Sequence, residues 1–291
     1  MNISKKALMS FLMALTSLIA MAQPYYHVMK QDGNKLTEEA MYDGGTYKIK
    51  IDMNKPKPKD AIGGQITIEY STKCKCHNVS TPTNFYFTNK GNVYYDRGLH
   101  FEKSQLDYSH SSNHIGLFRW GRYLDDCLTG RSFRVYWNST QTFYFANPKN
   151  LRNIDGTGQW YLLSSCEWDY VCKNLGECGW TVDGKTCYLI DTTPGKSLLR
   201  TIESIKGEKA MSREDFEYYE NKGLVCLPAS GWARNYNNTY GHGYSGYYWS
   251  STPSLNSIEH AWCMQFNSWT ADIWGDYRSE SYALRLVKSA L

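Results

Sequence analysis

Two sets of side chains in this sequence have types and spacings that could do chemistry: its cysteines, and the polar aromatic stretches near its C-terminus. The nine cysteines are Cys74, Cys76, Cys127, Cys166, Cys172, Cys178, Cys187, Cys226 and Cys263. A thiol can pair, ligate a metal or attack a substrate, and its surroundings decide which. Cys74-Lys-Cys-His77 offers zinc donors, but no second ligand cluster follows at the spacing that would close a tetrahedron. Cys226 and Cys263 lie in the apolar runs Leu224-Val-Cys-Leu-Pro228 and Ala261-Trp-Cys-Met-Gln-Phe266, so they read as small core residues. Cys172 with Cys178, and Cys178 with Cys187, are alternative local pairings in an oxidising compartment. The odd total leaves at least one thiol free or paired between chains. No paired carboxylates, no Ser-His-Asp order and no zinc motif emerge. The chain therefore reads as a non-enzyme without metal or cofactor.

The second set is richer. Trp232 to Gly246 holds Trp232, Arg234, Asn235, Tyr236, Asn237, Tyr240, His242 and Tyr244, and Asn267 to Arg278 holds Trp269, Asp272, Trp274, Asp276 and Tyr277. Tyr, Trp, Asn, Gly and Arg are the residues of antibody-like binding surfaces. Rings give contact area at low entropic cost, and small polar residues adapt around them. These residues form the candidate ligand-binding set. Glycines at 241, 243 and 246 disfavour helix and strand, so both stretches read as loops. His242 is expected as a loop hydrogen-bonder. Trp249, Trp262 and Phe266 stand on apolar strands and are expected to pack inward. For Tyr236, Tyr240, Tyr244, Trp269, Trp274 and Tyr277, exposure and inward packing are both open from the sequence.

The elements that must position these loops are short. Period-two alternation marks strands at 46–51 and 65–70, with further strands at 84–88, 92–95, 133–137 and 142–145. Two strands alone are marginal in water, so residues 23–80, a small β-rich element, must gain a third strand or pack on the rest. Two helices stand out. Ser164 with Glu167 forms a capping box, Leu163 can staple to Trp168, and Trp168, Val171, Cys172 and Leu175 share one face before Gly176. The second helix starts at Ser212, with Asp215 three residues on, and stops at Gly223. Between them, residues 179–190 read as a hairpin turning at Asp183-Gly184. The C-terminal part adds strands at 224–228, 247–251, 261–266 and 283–287.

The N-terminus carries an export signal. Lys5 and Lys6 precede an apolar stretch from Ala7 to Ile19, and Ala20-Met-Ala22 offers a cleavage site before Gln23. That stretch is short for a bilayer span of about 20 residues, and nothing later is long and apolar enough to form one. The formal net charge is +4, and removing residues 1–22 takes away two lysines and no acidic residue. So balanced a chain lacks the basic footprint of a nucleic-acid binder.

The order of the C-terminal segments resembles a known family. Trp160-Tyr-Leu-Leu-Ser-Ser-Cys-Glu-Trp168, Gly223-Leu-Val-Cys-Leu-Pro-Ala-Ser-Gly231, Gly246-Tyr-Tyr-Trp-Ser-Ser-Thr252, Ala261-Trp-Cys-Met-Gln-Phe266 and Ala283-Leu-Arg-Leu-Val287 are similar to the Fibrobacter succinogenes major paralogous domain family. Upstream, Phe85-Tyr-Phe-Thr-Asn-Lys-Gly-Asn-Val-Tyr94 and Leu117-Phe-Arg-Trp-Gly121 resemble its opening strand and aromatic-glycine segment. The resemblance covers residues 83–288. It implies an α+β, C-type-lectin-like domain (81–291) with two helices and twisted antiparallel sheets, and a likeness to the variable proteins of diversity-generating retroelements. Fold does not give function. The reading that follows is an exported, adhesin-like protein that binds a protein or glycan ligand through its aromatic loops. Its alternative is a structural subunit of a surface or pilus assembly, joined through residues 23–80. The more distant alternative is an oxygenase like the sulfatase-modifying enzymes, which needs a reactive cysteine pair; Cys226 and Cys263 are the nearest match.

Overall fold

A computed structural model describes residues 28–32, 35–42, 45–70, 83–111, 114–120, 133–137, 141–145, 151–235, 238–254 and 259–290. The expected signal segment, Cys74 to His77, Tyr236 and Asn237 lie outside the described residues. The fold is mixed α+β, dominated by antiparallel sheet, with three short helices.

The N-terminal strands do not stand apart. Strands 28–32, 35–42, 45–52 and 61–70 form successive antiparallel neighbours and continue through 83–88 and the C-terminal strand 286–289 to 160–162, making one seven-stranded sheet. The alternation that marked residues 46–51 and 65–70 puts Ile49, Ile51, Ile66 and Ile68 on the buried face. There they share one core with Phe85, Phe87 and Trp168. The strands described between residues 28 and 70 thus gain further neighbours inside this sheet.

Helix α1 (Ser165–Asn174) starts at the expected capping box: Glu167 N donates to Ser164 Oγ at 3.2 Å, and Ser164 N to Glu167 Oε2 at 2.7 Å. Its buried face carries Trp168, Val171 and Cys172. Helix α3 (Arg213–Glu220) has its capping box at Ser212 and Asp215. Helix α2 (Ser197–Lys206) lies between them and was not expected. The hairpin 176–182/185–191 turns at Asp183 and Gly184, both at positive φ, and pairs with strand 224–228. Leu199 and Ile202 of α2 and Phe216 of α3 pack on its Trp180 and Leu189 in a separate core.

The two stretches read as loops are largely strands. Trp232–Asn235 (β1) and Asn238–Tyr240 (β2) form an antiparallel hairpin. Gly246–Pro253 (β3), His260–Phe266 (β4) and Ala271–Tyr277 (β5) form a three-stranded antiparallel sheet, and Ser281–Tyr282 (β6) pairs with β1. Neighbouring backbone explains the difference. Gly241 and Gly243, at positive φ, make the turn that follows β2 without interrupting it, and ladder hydrogen bonds from β4 hold β5 despite its weak strand propensity. Neither expected local disulfide forms, since Cys172, Cys178 and Cys187 are all free thiols. Cys172 faces the core beneath α1, Cys187 faces the core beneath α2 and α3, and Cys178 sits at the bulge between Glu177 and Trp180.

Candidate functional site

Register decides what the three-stranded sheet presents. Gly246, Phe266 and Ala271 stand opposite one another, as do Tyr248, Met264 and Ile273. These rows face α1, and Tyr248, Met264 and Phe266 join its core. Alternate rows face the other way: Tyr247 with Gln265 and Asp272, Trp249 with Cys263 and Trp274, and Ala261 with Asp276. Trp249, Cys263 and Ala261 are buried beneath Tyr282, Leu284 and Trp120. That cover runs out toward β5, so Asp272 and Trp274 are exposed while Tyr247, Gln265 and Asp276 are half-buried.

Strand β6 fastens this face to the β1–β2 hairpin. Tyr282 stacks on Tyr247, with centroids 5.1 Å apart, and lies 4.3 Å from Trp249. Its hydroxyl donates to Asp276 Oδ2 at 2.6 Å. Burial pushes the Tyr282 hydroxyl well above its ordinary pKa, helped by Cys263 and Asp276, so the phenol stays a donor. On the hairpin, Trp232 stacks on Tyr240 at 4.6 Å, and the Arg234 guanidinium lies 5.5 Å from the Trp232 ring. Arg234 Nε is 3.3 Å from Glu280 Oε1, and Arg119 Nη2 donates to the Arg234 carbonyl. Burial raises the Glu280 carboxyl; Arg234 opposes that rise and Asp276 adds to it.

Among the described residues β5 is an edge strand, because the sheet order ends with it. Arg278 N donates to Glu259 O and Asn267 N to Thr270 O, which fixes the alternation of the ladder. The backbone groups of Asp272, Trp274 and Asp276 therefore face β4, while those of Ile273 and Tyr277 face outward. Two of the outward amides, on either side of Gly275, are capped by the preceding aspartate: Ile273 N donates to Asp272 Oδ1 and Tyr277 N to Asp276 Oδ1, each at 2.7 Å. Occupied amides cannot pair with a foreign strand, so these carboxylates guard the edge.

The structure thus brings Trp232, Arg234, Tyr240, Asp272, Trp274 and Asp276 onto or beside one connected face, whereas Tyr277, Trp269, Tyr244 and His242 lie elsewhere. Tyr277 points to the opposite side of β5 and packs against His260, with ring centroids 4.3 Å apart. Trp269, 86% exposed, tops the β4–β5 turn, where Asn267 Oδ1 accepts from the amides of Trp269 and Thr270. Tyr244, 77% exposed, rides the tight turn that Gly241 begins. His242 packs 4.7 Å from the Tyr108 ring, and burial with Lys185 nearby lowers its pKa. Asn235 closes β1. Of the rings expected inside, Trp249 and Phe266 are buried and Trp262 is half-buried. Sequence reasoning missed Tyr247, Gln265, Glu280 and Tyr282 as parts of this face. The Tyr247/Trp249 alternation was the available signal, but only register shows where β5 leaves the sheet uncovered.

The two cysteines weighed as a reactive pair do not come together. Cys226 and Cys263 belong to different cores, Cys226 with Trp180 and Cys263 with Trp249, and burial pushes the Cys263 thiol up. The thiol neighbouring Cys226 is that of Cys187. Among the described residues, no group of three metal-ligating side chains gathers, and no helix is long and apolar enough to cross a membrane.

Residues 194–287 match the family described as Domain of unknown function (DUF8237). The matched span begins just before α2, ends in the C-terminal strand and contains strands β1 to β6. No curated protein and no solved structure matches the chain.

Proposed function

We propose that this chain is an exported, adhesin-like protein that binds a protein or glycan ligand, presenting its aromatic face on a C-type-lectin-like scaffold. The observation that carries this reading is the exposure of large rings on ordered backbone. Tyr240 is 44% exposed, Trp274 54%, Tyr244 77% and Trp269 86%, on strands or hydrogen-bonded turns. Rings left in water add nothing to folding and are hard to explain on an inert surface. The capping box of α1, the strand order of the C-terminal part and the resemblance to the Fibrobacter succinogenes major paralogous domain family support the scaffold.

The test combines stability with binding. Tyr240, Trp269 and Trp274 are replaced by Ala together, thermal unfolding is followed by circular dichroism, and fluorescently labelled protein is applied to glycan arrays and to host and bacterial cells. A melting temperature close to that of the parent, with cell or glycan binding lost, supports recognition. A large loss of stability means that the rings are packing groups and defeats the reading. A second reading, the assembly subunit, draws on the first strand, Val28–Asp32, which ends the seven-stranded sheet with one neighbour among the described residues.

A further inference from the structure

We infer that the Asp272, Trp274 and Asp276 side chains of β5 receive a guanidinium or ammonium group from a protein partner. This inference rests on the recognition reading above and names the chemistry of its ligand. Alternate residues of a strand project from the same face about 6.6–6.8 Å apart, so the exposed indole of Trp274 is flanked on both sides by carboxylates. Indole is the best aromatic receptor for a cation, and nearby carboxylates strengthen the attraction.

Both carboxylates are held in place, yet neither is neutralised. One oxygen of each accepts the next backbone amide, and the second oxygen of Asp276 accepts the Tyr282 hydroxyl. Neither aspartate forms an ion pair among the described residues. The nearby arginines are committed elsewhere: Arg234 faces Glu280, and Arg278 lies 4.6 Å from the Trp120 ring while its Nε donates to His260 O. The uncompensated charge is felt by neighbours, since Asp276 helps raise Glu280 and Cys263. A neutral sugar would stack on Trp274 but leave that charge standing. An Arg or Lys side chain takes both the ring and the charge, and Trp–Arg contacts are typical anchors of protein interfaces.

The test titrates the mature chain with tetra-arginine and tetra-lysine peptides, with tetraglycine as control, by tryptophan fluorescence and calorimetry at low and high salt. The variants are Trp274→Ala, Trp274→Leu, the pair Asp272→Asn with Asp276→Asn, and, as control, Tyr218→Ala, an exposed ring on α3 outside the candidate set. Asparagine keeps an oxygen for the amide cap, so the pair removes charge and leaves the edge guarded; unfolding curves confirm that each variant is folded. The expected result is salt-sensitive binding of the cationic peptides, weakened about fivefold by either Trp274 change and by the Asp pair and unchanged by Tyr218→Ala. Equal binding by all variants, or no binding of the cationic peptides, overturns the inference. A neutral glucan hexamer that loses binding in Trp274→Ala but keeps it in the Asp pair also overturns it, while leaving the recognition face itself intact. Loss of cell and glycan binding as a whole is decided separately, by the triple-alanine test.

Discussion

The Tyr282–Asp276 hydrogen bond fastens β6 to the edge strand of the candidate surface, and its two partners differ in how they tolerate being left alone. Tyr282 is 1% exposed, while Asp276 is half-buried at the sheet margin. Asp276→Ala therefore strands a buried hydroxyl and removes the cap on the Tyr277 amide; leaving a buried donor unmet costs about 1–3 kcal/mol. Tyr282→Phe keeps the ring stack on Tyr247 and frees a carboxylate oxygen that water can reach, for a loss of about 1 kcal/mol. Once Tyr282 is Phe, removing Asp276 strands no buried hydroxyl and leaves only the outward Tyr277 amide uncapped, where water can meet it. The double variant is thus expected within about 0.5 kcal/mol of Tyr282→Phe alone, corresponding to a coupling of about 1–3 kcal/mol. Urea unfolding with unchanged m-values measures all four proteins. If Tyr282→Phe costs as much as Asp276→Ala, or if the two losses simply add, the clamp is not what holds this corner.

Three further outcomes follow from local geometry. Ser164→Ala should destabilise the chain by about 1 kcal/mol, read by urea unfolding, because it removes the hydroxyl that accepts the Glu167 amide at the start of α1. His110 is held down to about 4 by burial and by nearby His114, and neither ring nitrogen has a hydrogen-bond partner. Its folded pKa lies below its unfolded 6.5, so the stability it contributes is complete above about pH 6.5 and falls away toward pH 4, by at most about 3 kcal/mol; His110→Phe should flatten that part of a stability-against-pH curve. Asp272→Ala combined with Asp276→Ala uncovers the outward amides of Ile273 and Tyr277, so light scattering should show concentration-dependent self-association; the corresponding Asn pair should stay monomeric wherever the parent does.

How far the sequence could be read depended on where each signal's partner lies. The capping boxes at Ser164 and Ser212 and the Asp183-Gly184 turn were legible because every group involved sits within a few residues. Helix α2 was not, because its cap is remote. The Lys196 side chain at its N-cap bonds the Gly176 carbonyl and not the helix, and the Leu199 amide is met at 3.0 Å by Asp191, a fully buried carboxylate at the end of the preceding strand that also accepts the Thr193 amide. The spacing of Leu199 and Ile202, with Gly207 closing the C-terminus, was the readable trace of that helix. The same distinction governs the candidate surface. Composition singled out Trp274, Asp272 and Asp276, and glycine content suggested loops, whereas the strand they occupy is imposed by β4, which gives β5 its ladder. The outward direction of Trp274 follows from its pairing with Cys263 and from Tyr282 covering Trp249 but not the edge. That is a fact of register between distant segments, and it makes the exposed indole and its flanking carboxylates a property of the assembled sheet rather than of residues 267–278 alone.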